Sequence, residues 1–250
     1  MISLVKSIVY RKYGRVFLSS YRRWLSGEQF ISTDSFVKTG PYKNLKISEL
    51  SNWGKGDLIG KINGAYESSV AQKLVGLISS EKMSTFIDVG CADGFHATGL
   101  GKLKSIRSVL CFDIDPKSLE NCSKNAAENG ILSKFEFHNR KFEIGDLESL
   151  PANSLMLVDI EGAEYALLDE EFLEIHKSKR ITSIVELHDP KMTKSLIVKL
   201  KDLGFKSELF STSQLEIDYK NGLTNLDENQ VMLLLSQGRR CYQEWIVIRS

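Results

Sequence analysis

The stretch STFIDVGCADG, residues 84–94, is a short β-rich run that ends in a turn carrying two glycines, Gly90 and Gly94, and two acids, Asp88 and Asp93. Glycine permits the tight turn and close backbone approach that a bound nucleoside needs at a strand end. Four more runs of the same kind follow, at 108–115, 134–139, 154–160 and 181–188. Helical patterns fall between them at about 93–104, 116–129, 163–177 and 191–203, with Pro116 and Pro190 near helix starts, where a missing N–H costs nothing. Strands alternating with helices, and apolar almost throughout, predict a parallel sheet covered on both faces. FKSELFST (205–212) and QEWIVIRS (243–250), separated by a short helix at 229–237, read as a closing pair with the last strand antiparallel. The expected fold is therefore α/β, a doubly wound, mostly parallel seven-stranded sheet.

An amphipathic helix, YESSVAQKLVGLISS (66–80), puts Val70, Leu74, Leu77 and Ile78 on one stripe just ahead of this alternation. The catalytic or binding domain is expected over residues 64–250, with residues 1–63 as a basic helical extension and an irregular connection. Lys6, Arg11, Lys12, Arg15, Arg22 and Arg23 precede the first acid, Glu28, and apolar residues recur among them at helical spacing. A helix packed on the domain or on a second subunit is the favoured reading of residues 1–27; docking on a membrane surface is the alternative. No continuous apolar core marks a secretory signal, and no run approaches the roughly 20 residues of a membrane span. A cytoplasmic protein, peripheral to a membrane at most, is expected. A net charge of +1 over 250 residues gives no field for non-specific nucleic-acid binding. Cys91, Cys111, Cys122 and Cys241 form neither a CxxC pair nor a framework and read as reduced, unbridged thiols.

In an open parallel sheet, ligands sit beyond the carboxyl ends of the strands. Asp88 and Asp93 flank the first turn, where a pyrophosphate would be repelled and a cationic ligand welcomed. Asp113, in CFDID about 20 residues on, stands where such folds set an acid against two ribose hydroxyls, and Ile114 is placed to cover an adenine face. Helix capping is the competing role for Asp113, but Asp115 already fills it. An adenosine joined to a cation describes S-adenosylmethionine. With DVGCADG as first motif and CFDID as second-strand acid, the chain resembles the Rossmann-like S-adenosylmethionine-dependent methyltransferases.

A second stretch, LMLVDIEGAEYALL (155–168), carries an apolar strand into Asp159, Glu161 and Glu164; VELHDP then places Glu186 and His188 at the end of the next strand. VDIEGAE followed by VELHDP resembles the FkbM-type methyltransferases, with Ala92 where members of that family usually have Asn. The resemblance implies O-methylation of a hydroxyl on a small molecule or glycan, often a sugar. Tyr66–Glu67 is similar to a tyrosine–glutamate pair that often precedes the core in such proteins, which would put Glu67 at the cofactor; a helix first-turn acid is the other reading.

Methyl transfer to a hydroxyl requires the acceptor to lose its proton as it attacks in line. Asp159, Glu161, Glu164, Glu186 and His188 are the candidate catalytic residues, His188 being the side chain best suited to act as base at neutral pH. Glu161 and Glu164 have a competing role as acids at a helix start. Asp159, Glu186 and His188 also offer ligands to a divalent metal, although no spacing motif fixes a metal site. His96 and His138 have no partner in the pattern and carry no role. Two further functions stay open on sequence: a non-catalytic cofactor-binding scaffold acting through the N-terminal helix, and a methyltransferase acting on protein or nucleic acid.

Overall fold

In a computed structural model of the protein, residues 34–48, 55–213 and 242–250 are described. Helices α1 (Lys55–Ile62) and α2 (Ser68–Glu81) lead into strand β1 (Thr85–Val89), followed by α3 (Phe95–Gly101), β2 (Ser108–Phe112) and α4 (Pro116–Glu128). A 3-10 turn at Leu132–Lys134 precedes β3 (Phe135–His138), α5 (Ile144–Ser149), β4 (Leu155–Val158), α6 (Glu164–Leu167) and α7 (Glu170–Ser178). The chain closes with β5 (Thr182–Leu187), α8 (Pro190–Asp202), β6 (Lys206–Ser213) and β7 (Tyr242–Arg249). The strands form a seven-stranded sheet of order β3-β2-β1-β4-β5-β7-β6. β1 to β5 pair in parallel, and β7 inserts between β5 and β6, antiparallel to both.

Alternate residues of each central strand feed opposite faces, which is why these strands are apolar throughout. Phe86, Leu155, Leu157, Ile184 and Val247 join Leu74 and Ile78 of α2 on one side. Ile87, Met156, Val158, Val185 and Ile246 meet Phe172 and Leu173 of α7 and Leu196 and Leu200 of α8 on the other. Asp115 and Asp189 cap α4 and α8 by accepting the N–H groups of Lys117 and Lys191, and each cap is followed by a proline at the helix start.

The structure departs from the sequence reading in three places. The helix expected at 163–177 is two helices, because Asp169 turns out to accept the Phe172 N–H and restarts the chain as α7. α5 was unmarked by periodicity; a reciprocal cap between Glu143 and Asp146 nucleates it, and Arg140 grips Asp146 with two hydrogen bonds of 2.6 Å. Residues 34–48, read as an irregular connection, make a turn closed by a Phe36–Lys46 bridge and clasped to α4: Asn129 bonds both backbone groups of Lys46, and Asn125 accepts the Ser48 N–H at 2.8 Å. Val37, Tyr42, Leu45, Ile47, Leu58 and Ile62 are buried in the same core as α2 and β1. The expected helices at 1–27 and 229–237 lie outside the described residues. Among the described residues, no helix is long and apolar enough to cross a membrane.

Candidate active site

A cavity of about 720 Å³ opens where strand order reverses, above the carboxyl ends of β1 and β4. Its size falls within the roughly 300–1,000 Å³ typical of small-molecule sites. Of the residues expected at the cofactor, Glu67, Asp88, Gly90, Asp93, Asp113 and Ile114 line it. Gly94 does not; it packs behind the turn, where a Cβ would come within 2.1 Å of the Cys122 sulfur. Gly90 has φ +85°, and a Cβ there would lie 1.8 Å from the Asp159 carbonyl oxygen, so this glycine lets the β1 and β4 turns touch.

Asp113 ties the two nucleoside-side turns together: one carboxylate oxygen accepts the Ala92 N–H and the other the Asp115 N–H, both at 2.9 Å. Each oxygen keeps a lone pair for a further donor. Ile114 is 69% exposed above it, an apolar face presented to the cavity with nothing covering it among the described residues.

The two acids of the first turn already have partners within the protein. Asp93 is buried in an ion pair with Lys61, whose ammonium also lies over the rings of Tyr66 and Phe95. Asp88 is pushed well above the ordinary carboxyl range by burial, reinforced by Cys91, Asp159 and Asp113, and it accepts the Ala97 N–H. A cation beside Asp88 would favour its ionised form.

Glu67 is not the first-turn helix acid of the competing reading. It sits in the left-handed region, φ 45°, makes no cap bond, and turns inward to His96. His96, which sequence reasoning left without a role, connects three elements: the Tyr42 hydroxyl donates to Nδ1 at 3.1 Å, and Nε2–H donates to Glu67 at 2.7 Å, the tautomer being set by these partners. Burial pulls Glu67 up, but His96, Tyr66 and Lys61 outweigh it and hold the carboxyl below its ordinary range.

The other half of the site gathers at the ends of β4 and β5. His188 stands among four carboxylates: Glu164 at 3.1 Å from Nδ1, and Glu161, Asp159 and Glu186 at 3.5, 3.8 and 3.9 Å from Nε2. Asp159 and Glu161 line the cavity, whereas Glu164, Glu186 and His188 are not among its lining residues. Glu161 and Glu164 do not share a helical face. Glu161 lies in the turn before α6 with φ 54°, while Glu164, fully buried, folds back to accept the N–H groups of Ile160 and Gly162 at 2.9 and 3.1 Å. Glu164 thus clasps the turn that carries Asp159.

These contacts set the protons. Burial raises Glu164, but His188 and the turn N–H groups hold it below its ordinary range. The hydrogen bond to Glu164, and the charges of Glu164, Asp159 and Glu161, raise His188 against its own burial. The surrounding acids therefore favour the protonated form of His188. Burial and the charge of Glu67 push Asp159 up to about 7. Burial and the charge of Asp159 push Glu186 higher, to about 10, so Glu186 keeps its proton and shares a hydrogen bond with Asp159. Asp159, Glu161 and His188 bring one donor atom each within 4.8 Å of one another, a set that could hold a hard cation; Glu186, also expected as a ligand, is not in this group of three and shares a hydrogen bond with Asp159.

Besides His96, the cavity residues that the sequence did not single out include Lys61, Phe142 and Trp245. Lys61 and Phe142 lie in segments with no motif. Trp245 is fully buried on β7 beside Glu186 in register, and its indole N–H has no hydrogen-bond partner among the described residues. Their sequence contexts carry no signal; only strand order brings β7 to the site.

A doubly wound sheet with a glycine turn, a second-strand acid and a cavity at the switch point defines a nucleoside-binding protein of the Rossmann-like class. The methyltransferase domain family matches residues 80–205, about half of the chain, and the protein belongs to that family of S-adenosylmethionine-dependent enzymes. Among the solved structures that share the fold are two methyltransferases. The O-methyltransferase TomG from Streptomyces achromogenes, in complex with S-adenosylmethionine, superposes with a TM-score of 0.52 at 9% identity over 79% of this chain and 86% of that one. The precorrin-6y C5,15-methyltransferase from Geobacter metallireducens GS-15 gives 0.51 at 10% identity over 73% and 88%. A search of curated protein sequences finds no match.

Proposed function

We propose that the protein is an FkbM-type O-methyltransferase acting on a hydroxyl of a sugar, glycan or other small molecule. The observation that carries this reading is the convergence of Asp159, Glu161, Glu164 and Glu186 on His188, which gathers both halves of the VDIEGAE–VELHDP pattern at the cavity. Bound in the cavity, S-adenosylmethionine supplies a methyl group on a sulfonium, open to in-line attack. Asp113 accepts ribose hydroxyls, Ile114 covers the base, and Gly90, which lines the cavity, allows close backbone approach. Asp88 and Glu67 give the cationic end its acidic surroundings.

Asp159 is the proton acceptor, because a carboxylate titrating near 7 combines basicity with a substantial ionised fraction at neutral pH. Glu186, already protonated, donates to Asp159 and orients it. His188 holds Glu161 and Glu164 in place and offsets their charge, acting on the acceptor through them. Nothing in this sequence of steps needs the hard-cation set to be filled.

Calorimetric titration with S-adenosylmethionine tests the first half; a folded chain that binds none overturns it. For the second half, Asp159→Asn should lower kcat by about 10²–10⁴ with cofactor affinity within a few-fold of wild type. An affinity loss as large as the rate loss would move Asp159 to the cofactor site instead.

A further inference from the structure

Three cysteines that methyl transfer does not use converge under the cofactor turn. Cys91 follows β1, Cys111 lies on β2 and Cys122 on α4; all three are buried and free. Their sulfurs lie within 4.8 Å of one another, and those of Cys111 and Cys122 are 3.7 Å apart. Sequence spacings of 20 and 11 residues hide this, because only parallel pairing of β1 with β2 and the return of α4 bring the thiols together.

We propose that the triad is a binding site for a single thiophilic d¹⁰ cation of the zinc(II) type, held by three sulfurs. Zinc–sulfur bonds of about 2.3 Å set ligand sulfurs roughly 4 Å apart, so the observed separations need only small adjustments. The ligand set is all sulfur, which selects against magnesium and calcium and separates this site from the oxygen-and-imidazole set at Asp159. Cys91 lines the cavity and gives the ion its way in. Each thiol that ligates releases its proton to solvent, up to three per ion, leaving three thiolate–metal bonds and one net negative charge with a divalent cation. The Lys61–Asp93 pair keeps a cation beside the same turn. The site also touches the cofactor wall, since Gly94 packs against the Cys122 sulfur and Ala92, next to Cys91, bonds Asp113.

The alternative is that three cysteines pack as small apolar side chains. The experiment uses the full chain, stripped with chelator and reduced, titrated with zinc(II) against a chromophoric competitor and with cadmium(II) followed by thiolate-to-metal absorption in the ultraviolet. The expected result is one equivalent per chain, lost at least a hundredfold in affinity in Cys111→Ala and Cys122→Ala and retained in His188→Ala. Because a core variant can fail to fold, X-ray absorption on the zinc-loaded wild type provides a second measurement, with a first shell of three sulfurs expected. Absence of stoichiometric binding, a shell dominated by nitrogen and oxygen, or folded cysteine variants that bind as wild type would each overturn the site.

Discussion

Single residues decide the shape of the cofactor turn. Gly90 is there because its missing Cβ admits the Asp159 carbonyl; Gly90→Ala should abolish S-adenosylmethionine binding and cost upwards of about 3 kcal/mol of stability, read by urea unfolding. Ala92 is the opposite case. Its φ of 49° lies in the left-handed region, where an L-residue with a Cβ is disfavoured by about 1 kcal/mol and Asn or Gly is tolerated. The Asn usual in FkbM-type proteins at this turn is the residue the backbone prefers. Ala92→Gly is expected to stabilise the chain by about 0.5 kcal/mol, the relief of strain exceeding the entropy added to the unfolded state, seen as a higher urea midpoint with an unchanged slope. A lower midpoint would mean that the Ala92 methyl packs usefully in the cavity wall.

At the scale of elements, the turn between β4 and α6 is a preassembled unit whose clasp is Glu164. Replacing the clasp with Glu164→Gln keeps one oxygen for the Ile160 and Gly162 N–H groups but removes the charge that raises His188. The imidazole titration, followed by NMR, should shift downward. With Asp159 as base, kcat/KM should climb as pH rises through about 7 in the wild type, because only the ionised carboxylate accepts a proton. How much of this was readable beforehand differs by element. The strands were legible because burial on both faces leaves a continuous apolar run, and the acids at their ends because each one interrupts such a run. The helix break at Asp169 and the clasp by Glu164 were not, since a cap and a helix-interior acid look alike until ψ and the hydrogen bonds separate them. Proton positions were least legible: His188 reads as a neutral-pH base alone, and only the assembled site shows the carboxylates that raise it.

For the whole molecule, the site stores electrostatic cost that the rest of the fold carries. Glu186 is 5% exposed and keeps its proton up to about pH 10, whereas an unfolded glutamate loses it near 4.5. Between those values the native state binds one more proton than the unfolded state, so this group makes stability fall as pH rises, by about 1.4 kcal/mol per pH unit at most. Buried His176 acts in the other direction. Burial holds it neutral down to about 4, its Nε2 against Ser183 at 2.8 Å, so its stabilising share is complete above 6.5 and is lost as pH falls toward 4. Together they place the stability maximum on the acid side of neutrality. Glu186→Gln retains an uncharged side chain of the same shape and removes one proton's worth of slope. Thermal unfolding should therefore give a variant close to wild type at pH 5 and clearly more stable than wild type at pH 9, a gap that widens with pH. A gap of the same size at both pH values would mean that the substitution repairs packing and that Glu186 is ionised in the native chain.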